Sequence, residues 1–159
     1  MAKPRAKSGK GFYRVSDKWA KTNVLLADIH LRKLIPVTRK MTKLTLSSML
    51  REHGMVYVKP VHGSLGRGVM RVERHRAGRP GEHAAESAGY YYQLGEERKS
   101  FGSLGELYRS VLKDAKGKAY LVQKGVQLLQ FEGRPFDLRV VVQRAPGGGW
   151  EATGTVARI

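Results

Sequence analysis

The sequence predicts an α+β fold with three helices and largely antiparallel sheets. Three stretches combine helix-capping residues with apolar side chains at helical spacing. Other segments are rich in Val, Tyr and Phe, are bounded by Gly or Pro, and do not alternate strictly with the helices. The 159 residues, 41% of them hydrophobic, suffice for a compact domain with a buried core.

Each predicted helix starts from a capping residue and continues as an apolar stripe. The third helix has the strongest signal, because Ser103 and Glu106 form a capping-box pattern before the stripe. A shorter stripe of Leu and Met defines the second helix and precedes Gly54, a residue type that commonly ends helices. The candidate caps of the first two helices are Ser16 or Asp17, and Thr42 or Thr45.

The predicted strands end in a hairpin whose register can be derived from its turn. If Ala145 faces Trp150 across the glycine-rich turn, Asp137 lies opposite Arg158. We expect Phe136, Leu138, Val140 and Val142 to face a core. The opposite face carries either a functional polar patch or a weak surface ion pair. The seven predicted strands are 55–59, 68–74, 89–94, 119–123, 126–131, 136–143 and 150–158.

The charge of the chain predicts a polyanionic partner. Lys and Arg number 30 against 13 Asp and Glu, a formal net charge of +17. Residues 1–79 carry +15 of this and residues 80–159 only +2. Residues 1–14 are predicted to form a basic flexible arm. Nucleotide phosphates, nucleic acid, an anionic membrane surface or an acidic polymer would all be attracted to such a chain.

Several classes of site are excluded by composition. There is no cysteine, which rules out disulfides, thiol nucleophiles and cysteine metal sites. The five histidines lack metal-ligand spacing, so no metal site is predicted. No run of about 18 apolar residues occurs, so we expect no membrane span and a cytoplasmic protein. Tyr90, Tyr91 and Tyr92 either stack on nucleic-acid bases or bury alternate rings in a sheet.

A glycine-rich loop between two predicted strands is the candidate phosphate site. Glycines remove side chains that would keep a ligand from the backbone, so amide N–H groups can bind phosphate oxygens. Lys59 ends the first strand and adds a positive charge beside the loop. The loop matches neither common phosphate-loop pattern, and an ordinary turn is the alternative. The loop residues assigned to the phosphates are Gly63, Ser64, Gly66, Arg67 and Gly68.

Six short motifs occur in the order found in ATP-grasp enzymes. They are residues 17–19, 34–38, 58–68, 120–126, 136–140 and 153–158. From about residue 16 to its end, the chain resembles the ATP-grasp superfamily, and within it the YheC/YheD-like branch associated with bacterial endospore coats. The resemblance implies two small α+β subdomains, at 15–118 and 119–159, of which the second is incomplete. It also implies a spore-coat association.

The resemblance implies that ATP is bound between the subdomains and phosphorylates a carboxylate, which an amine or thiol then attacks. Lys18 and Lys59 match the two phosphate-binding lysines of the family, and the 63–68 loop matches its flap. The adenine-binding segment corresponds to Gln123, Lys124 and Val126. Asp137 is expected to contribute to nucleotide binding. The expected catalytic residues, facing the phosphates or the acceptor, are Arg139 and Arg158.

The family also binds Mg²⁺ through a segment that would follow Ile159. We therefore expect no magnesium ligands in this chain, which is either a fragment of a longer ligase or a shortened nucleotide-binding protein. The acceptor and the nucleophile are not identified by the sequence. The alternative function is a non-catalytic basic module that binds nucleic acid or an anionic spore-coat polymer.

Overall fold

The computed structural model describes residues 16–75 and 89–159, so the predicted arm at 1–14 lies outside the described residues. The chain divides into two compact units, Met1–Gly125 and Val126–Ile159. The expected α+β class with mostly antiparallel sheets is confirmed. In the first unit, the helices are α1 (Lys18–Ala27), α2 (Lys43–His53) and α3 (Leu104–Ala115), with a short 3₁₀ helix at Leu31–Lys33.

A six-stranded antiparallel sheet forms the first unit, in the order β1-β6-β2-β3-β4-β5. Its strands are β1 (Thr38–Lys40), β2 (Met55–Pro60), β3 (Met70–His75), β4 (Gly89–Leu94), β5 (Glu97–Phe101) and β6 (Tyr120–Lys124). The second unit contains a three-stranded antiparallel sheet of β7 (Leu129–Phe131), β8 (Arg134–Arg144) and β9 (Trp150–Arg158).

The helices begin at the predicted caps. The carboxylate of Asp17 accepts a hydrogen bond from the backbone N–H of Ala20 and starts α1. Both candidate threonines start α2, since Thr42 and Thr45 form a reciprocal capping box. Gly54, with φ of 72°, ends that helix, and α3 starts with the predicted capping box.

The core lies on one face of the six-stranded sheet, beneath α2 and α3. The alternation of buried and partly exposed residues along β2 leaves Tyr57 and Lys59 on the other face. Strand register aligns six residues in one row on that face: Thr38, Gln123, Tyr57, Arg71, Gln93 and Arg98. The side chains that form the core include Leu46, Met49, Leu50, Val56, Val58, Met70, Val72, Tyr92, Leu107, Val111 and Val122.

The sequence did not predict β1 and β5, and both lie at edges of the sheet. Their residues are mostly polar, Thr-Arg-Lys and Glu-Arg-Lys-Ser-Phe, because an edge strand needs little apolar surface. The predicted strand at 126–131 is shorter, with only Leu129–Phe131 extended. The first compact unit ends at Gly125 and includes β6, which pairs with both β1 and β2.

The hairpin of β8 and β9 has the predicted pairing at its far end, with Asp137 opposite Arg158. The starting assumption was wrong by one residue, since Trp150 faces Arg144. An irregularity between Val141 and Val142 adds one residue to β9 and restores the expected register.

The expectation that one face of β8 enters a core is wrong. Leu138, Val140 and Val142 are 57%, 54% and 51% exposed, and Phe136 is only partly buried. The second unit consists of three strands, and no helix or second sheet within this unit covers either face.

Candidate functional site

Lys59 is held on the face of the sheet opposite the core by a chain of hydrogen bonds. Its Nζ donates to Oε1 of Gln123 at 2.6 Å, and Nε2 of Gln123 donates to Oγ1 of Thr38 at 2.9 Å. The Thr38 hydroxyl donates in turn to the carbonyl of Pro36 at 2.8 Å. These contacts join β2, β6 and β1, and they fix the direction in which the ammonium group points.

The ammonium of Lys59 is partly buried, and it lies near the positive charge of Lys18. Burial lowers its pKa below the ordinary lysine value, and the charge of Lys18 lowers the pKa further. Its Nζ also lies 5.1 Å from the centroid of the Tyr57 ring. An ammonium has three N–H donors, of which Gln123 takes one. The other two donors have no hydrogen-bond acceptor among residues 16–75 and 89–159.

Lys18 connects the start of α1 to the start of the glycine-rich loop. Its backbone N–H donates to the carbonyl of Val61 at 2.9 Å. Its Nζ donates to the carbonyls of Pro60 at 2.9 Å and Gly63 at 2.8 Å. Burial, and secondarily the charge of Lys21, lowers the pKa of Lys18. The third ammonium proton, beside the loop, has no acceptor in the part of the chain that the structure describes.

The loop between β2 and β3 has the backbone geometry that its glycines predict. Gly63, Gly66 and Gly68 have φ of 134°, 72° and 73°. Gly68 has a second constraint, because a Cβ there would lie 3.0 Å from the hydroxyl of Tyr120. Leu65 also has a positive φ, 59°, and its side chain is 87% exposed.

Two backbone hydrogen bonds shape this loop. The N–H of Arg67 donates to the carbonyl of Ser64 at 3.3 Å, and the N–H of Val69 donates to the carbonyl of Gly66 at 3.1 Å. Residues 62–67 are exposed, so the loop presents its backbone outward. An exposed turn with repeated positive φ can direct several amides toward one anion.

Lys124 and Gly125 end the first unit beside Met55. The N–H of Lys124 donates to the carbonyl of Val37 at 2.8 Å, and the N–H of Gly125 donates to the carbonyl of Met55 at 3.0 Å. Any side chain at position 125 would collide with Met55, so glycine is required for this close approach. Val126 begins the second unit and is 48% exposed.

Asp137, Arg139 and Arg158 form a polar group on the second unit. Arg158 Nε donates to Asp137 Oδ1 at 3.0 Å, and Arg139 Nε donates to Oδ2 at 3.5 Å. The hydrogen bond from Arg158 is the main cause that lowers the pKa of Asp137, and Arg139 lowers it further. All three side chains are more than a third exposed, so the group is accessible.

The structure brings together Lys18, Lys59, Gln123 and the 63–68 loop within the first unit, as a shared phosphate site requires. It places Asp137, Arg139 and Arg158 together on the second unit. Thr38 was missed as a site residue. Thr38 ends the 34–38 motif, but its hydrogen bond with Gln123, 85 positions away, depends on how the strands pair in the sheet.

In the residues that the structure describes, no three His, Asp or Glu side chains cluster as metal ligands would. Among the described helices, none has the length and apolar character needed to cross a membrane.

Comparison with known proteins agrees with this architecture. The YheC/D like ATP-grasp family matches residues 12–159. The endospore coat-associated protein YheD of Bacillus subtilis (strain 168) is 26% identical over 144 residues, which cover 90% of this chain and 30% of that protein. No solved structure matches the chain significantly. Because the family match spans nearly all of its length, the chain belongs to the YheC/D-like ATP-grasp family of ATP-binding domains.

Proposed function

We propose that the first unit binds ATP, and that Lys59, Lys18 and the 63–68 loop hold its phosphates. The observation that carries this proposal is the pair of ammonium groups that hydrogen bonds hold at one end of β2 and at the start of the glycine-rich loop. Burial lowers both lysine pKa values, and the charge of Lys18 contributes to the shift at Lys59. Among the described residues, neither lysine forms an ion pair with a carboxylate.

Phosphate oxygens would supply the negative charge that this end of the sheet lacks. Counting partners among the described residues only, Lys59 keeps two N–H donors and Lys18 keeps one, which gives three charge-assisted hydrogen bonds to a ligand. Each contributes about 1.5–3 kcal/mol. The amides of Ser64, Gly66 and Gly68 would add neutral donors from the exposed loop.

The base-binding role belongs to Gln123, Lys124 and Val126. The amide side chain of Gln123 is already committed to Lys59 and Thr38. Recognition of adenine at this segment would therefore use main-chain groups rather than that side chain.

The reaction that fits this lineage is the ATP-dependent activation of a carboxylate. ATP supplies a phosphoryl group to the carboxylate, with loss of ADP, and an amine or thiol then displaces inorganic phosphate. The lysines would stabilise negative charge on the phosphate oxygens, and the loop would exclude water. On the second unit, Arg139 and Arg158 would act on the phosphates or the acceptor, with Asp137 holding both guanidinium groups.

We assign no step of this reaction to magnesium, because the described residues provide no cluster of ligands that fits the ion. The matched relative is more than three times as long as the matched segment. The complete ligase reaction is therefore proposed for a protein that contains this chain, and nucleotide binding is proposed for the chain itself. The name of the relative leads us to propose association with the endospore coat.

The test is calorimetric titration of the chain with a non-hydrolysable ATP analogue. Lys59→Ala should weaken binding at least tenfold, since it removes a charged donor with two free protons. Lys43→Ala is the matched control, because Lys43 is exposed at the start of α2. Equal affinities of Lys59→Ala and the wild type would refute the proposed phosphate site.

A further inference from the structure

A second candidate site lies on β3, β4 and β5, on the face of the sheet opposite the core. A cavity of about 360 Å³ opens there. Neither Lys59 nor any residue of the glycine-rich loop is among the residues that line it. The residues that line it are Arg71, Glu73, His75, Tyr91, Tyr92, Gln93 and Arg98.

One positive charge in the cavity is not balanced by an ion pair among the residues that line it. Glu73 Oε1 lies 2.7 Å from a guanidinium nitrogen of Arg71, and Glu73 Oε2 lies 3.5 Å from Nε2 of His75. The single carboxylate is therefore engaged on both oxygens. Within the described part of the chain, Arg98 has no carboxylate partner. An anion can bind there without displacing an existing ion pair.

An aromatic surface lies beside this charge. The rings of Tyr91 and His75 pack edge to face, with centroids 4.5 Å apart, and both side chains are partly exposed. The adjacent Tyr92 points into the core and stacks on Phe101. The tyrosine run therefore alternates as a strand requires, and Tyr91 is the ring left on the outer face.

We propose that this face binds single-stranded nucleic acid. A base stacks on the ring of Tyr91 and Arg98 contacts a phosphate, while Arg71 stays paired with Glu73. Gln93 lies between the two arginines in the same row, and its Nε2 donates to the carbonyl of Gly95 at 2.9 Å. Its Oε1 remains available to a base edge.

The chemistry of this surface favours an unpaired strand over other polyanions. Aromatic rings on an open sheet face are useful to a ligand whose bases are unstacked and accessible. A duplex hides its bases, and an acidic polymer has none. The net charge of +17 adds general attraction, which depends on salt but not on Tyr91.

Fluorescence anisotropy with the full chain and a labelled oligo-dT tests this proposal. Tyr91→Leu should weaken binding about tenfold through loss of stacking, and Tyr91→Phe should retain most of it. Arg98→Ala should weaken binding and reduce the salt slope by about one. Arg109→Ala, which removes an exposed charge from α3, is the matched control and should change binding much less.

A second titration uses inorganic polyphosphate, because it carries negative charge but has no bases. Arg98→Ala should weaken its binding, whereas Tyr91→Leu should not. The proposal is overturned if Tyr91→Leu binds oligo-dT as tightly as the wild type does. It is overturned as well if Tyr91→Leu loses affinity for polyphosphate by the same factor as for oligo-dT. It is also overturned if AMP displaces the labelled oligonucleotide as effectively as unlabelled oligo-dT does, because the site would then take mononucleotides. Lys59→Ala should leave oligo-dT binding nearly unchanged, which separates this proposal from the ATP site.

Discussion

The ammonium of Lys59 donates a 2.6 Å hydrogen bond to the side-chain oxygen of Gln123, and this bond joins β2 to β6 on the face opposite the core. Because the partner is a neutral amide, the lysine is oriented without being neutralised. A carboxylate at the same position would orient it equally well and cancel its charge. The choice of glutamine therefore keeps the positive potential available to an anionic ligand.

Gln123→Glu should weaken binding of the ATP analogue about tenfold. The new carboxylate would form an ion pair with Lys59 and repel phosphate oxygens. Calorimetry of the variant measures the effect. Gln93→Glu introduces the same charge on the same sheet face but away from Lys59, so it should change ATP affinity much less. Equal losses in the two variants would indicate a general charge effect and contradict the specific role of Gln123.

Binding of the ATP analogue should weaken as the pH rises through the alkaline range. The pKa of Lys59 is below the ordinary 10.5 because of burial and the charge of Lys18, and only the protonated form binds phosphate strongly. Affinity measured from neutral pH upward should therefore begin to fall before pH 10.5 is reached. Lys59→Arg should reduce this decline, because guanidinium stays charged throughout.

The thermal midpoint of the chain, measured over the same pH range, is the control for that experiment. A lysine whose pKa is lowered by folding binds fewer protons in the folded state than in the unfolded state. Between the folded pKa and the ordinary value of 10.5, Lys59 therefore makes a contribution to the free energy of unfolding that rises with pH. A loss of affinity caused by unfolding would instead be accompanied by a falling thermal midpoint, which would contradict the titration of Lys59 as the cause.

Gly68→Ala should destabilise the fold by about 2–3 kcal/mol. The positive φ of 73° strains any L-residue, and the new Cβ would lie 3.0 Å from the Tyr120 hydroxyl. Gly66→Ala is the matched control, with φ of 72° and no atom within 4 Å, and should cost about 1 kcal/mol. Urea unfolding measures both. Tyr120→Phe in the Gly68→Ala background should recover part of the loss; no recovery would refute the steric component.

Arg158→Gln should raise the pKa of Asp137 more than Arg139→Gln does. The hydrogen bond from Arg158 is the largest cause of the lowered pKa, and its distance is 3.0 Å against 3.5 Å for Arg139. Carbon-detected NMR titration of the Asp137 carboxyl group gives both values. A larger effect of Arg139→Gln would mean that the hairpin has a different register in solution.

Local chemistry in the sequence was enough to predict the helix caps and the central strands. Asp17, Thr42 and Ser103 all cap helices as predicted, because capping depends on residues within one turn. The edge strands β1 and β5 were not predictable in this way, since they are polar and have no apolar period. Thr38 was missed for the same reason, because its role follows from the position of β1 beside β6.

The hairpin shows how a correct pairing can follow from a wrong premise. Asp137 faces Arg158 as predicted, although Trp150 pairs with Arg144 rather than Ala145. The extra residue in β9 compensates for the error, and nothing in a single sequence marks its position. The alternation of apolar and polar residues also predicted a buried face on β8. Alternation shows only which residues share a face of the strand. Whether that face is buried depends on the other elements that pack against it.

Amide and lysine side-chain NMR of the chain during titration with the ATP analogue shows directly where the nucleotide binds. We expect chemical-shift changes concentrated in residues 62–68 and at the ammonium groups of Lys18 and Lys59, with the 123–125 segment also affected. Shifts confined to the face of β3, β4 and β5, or the absence of shifts at millimolar nucleotide, would contradict the proposed ATP site.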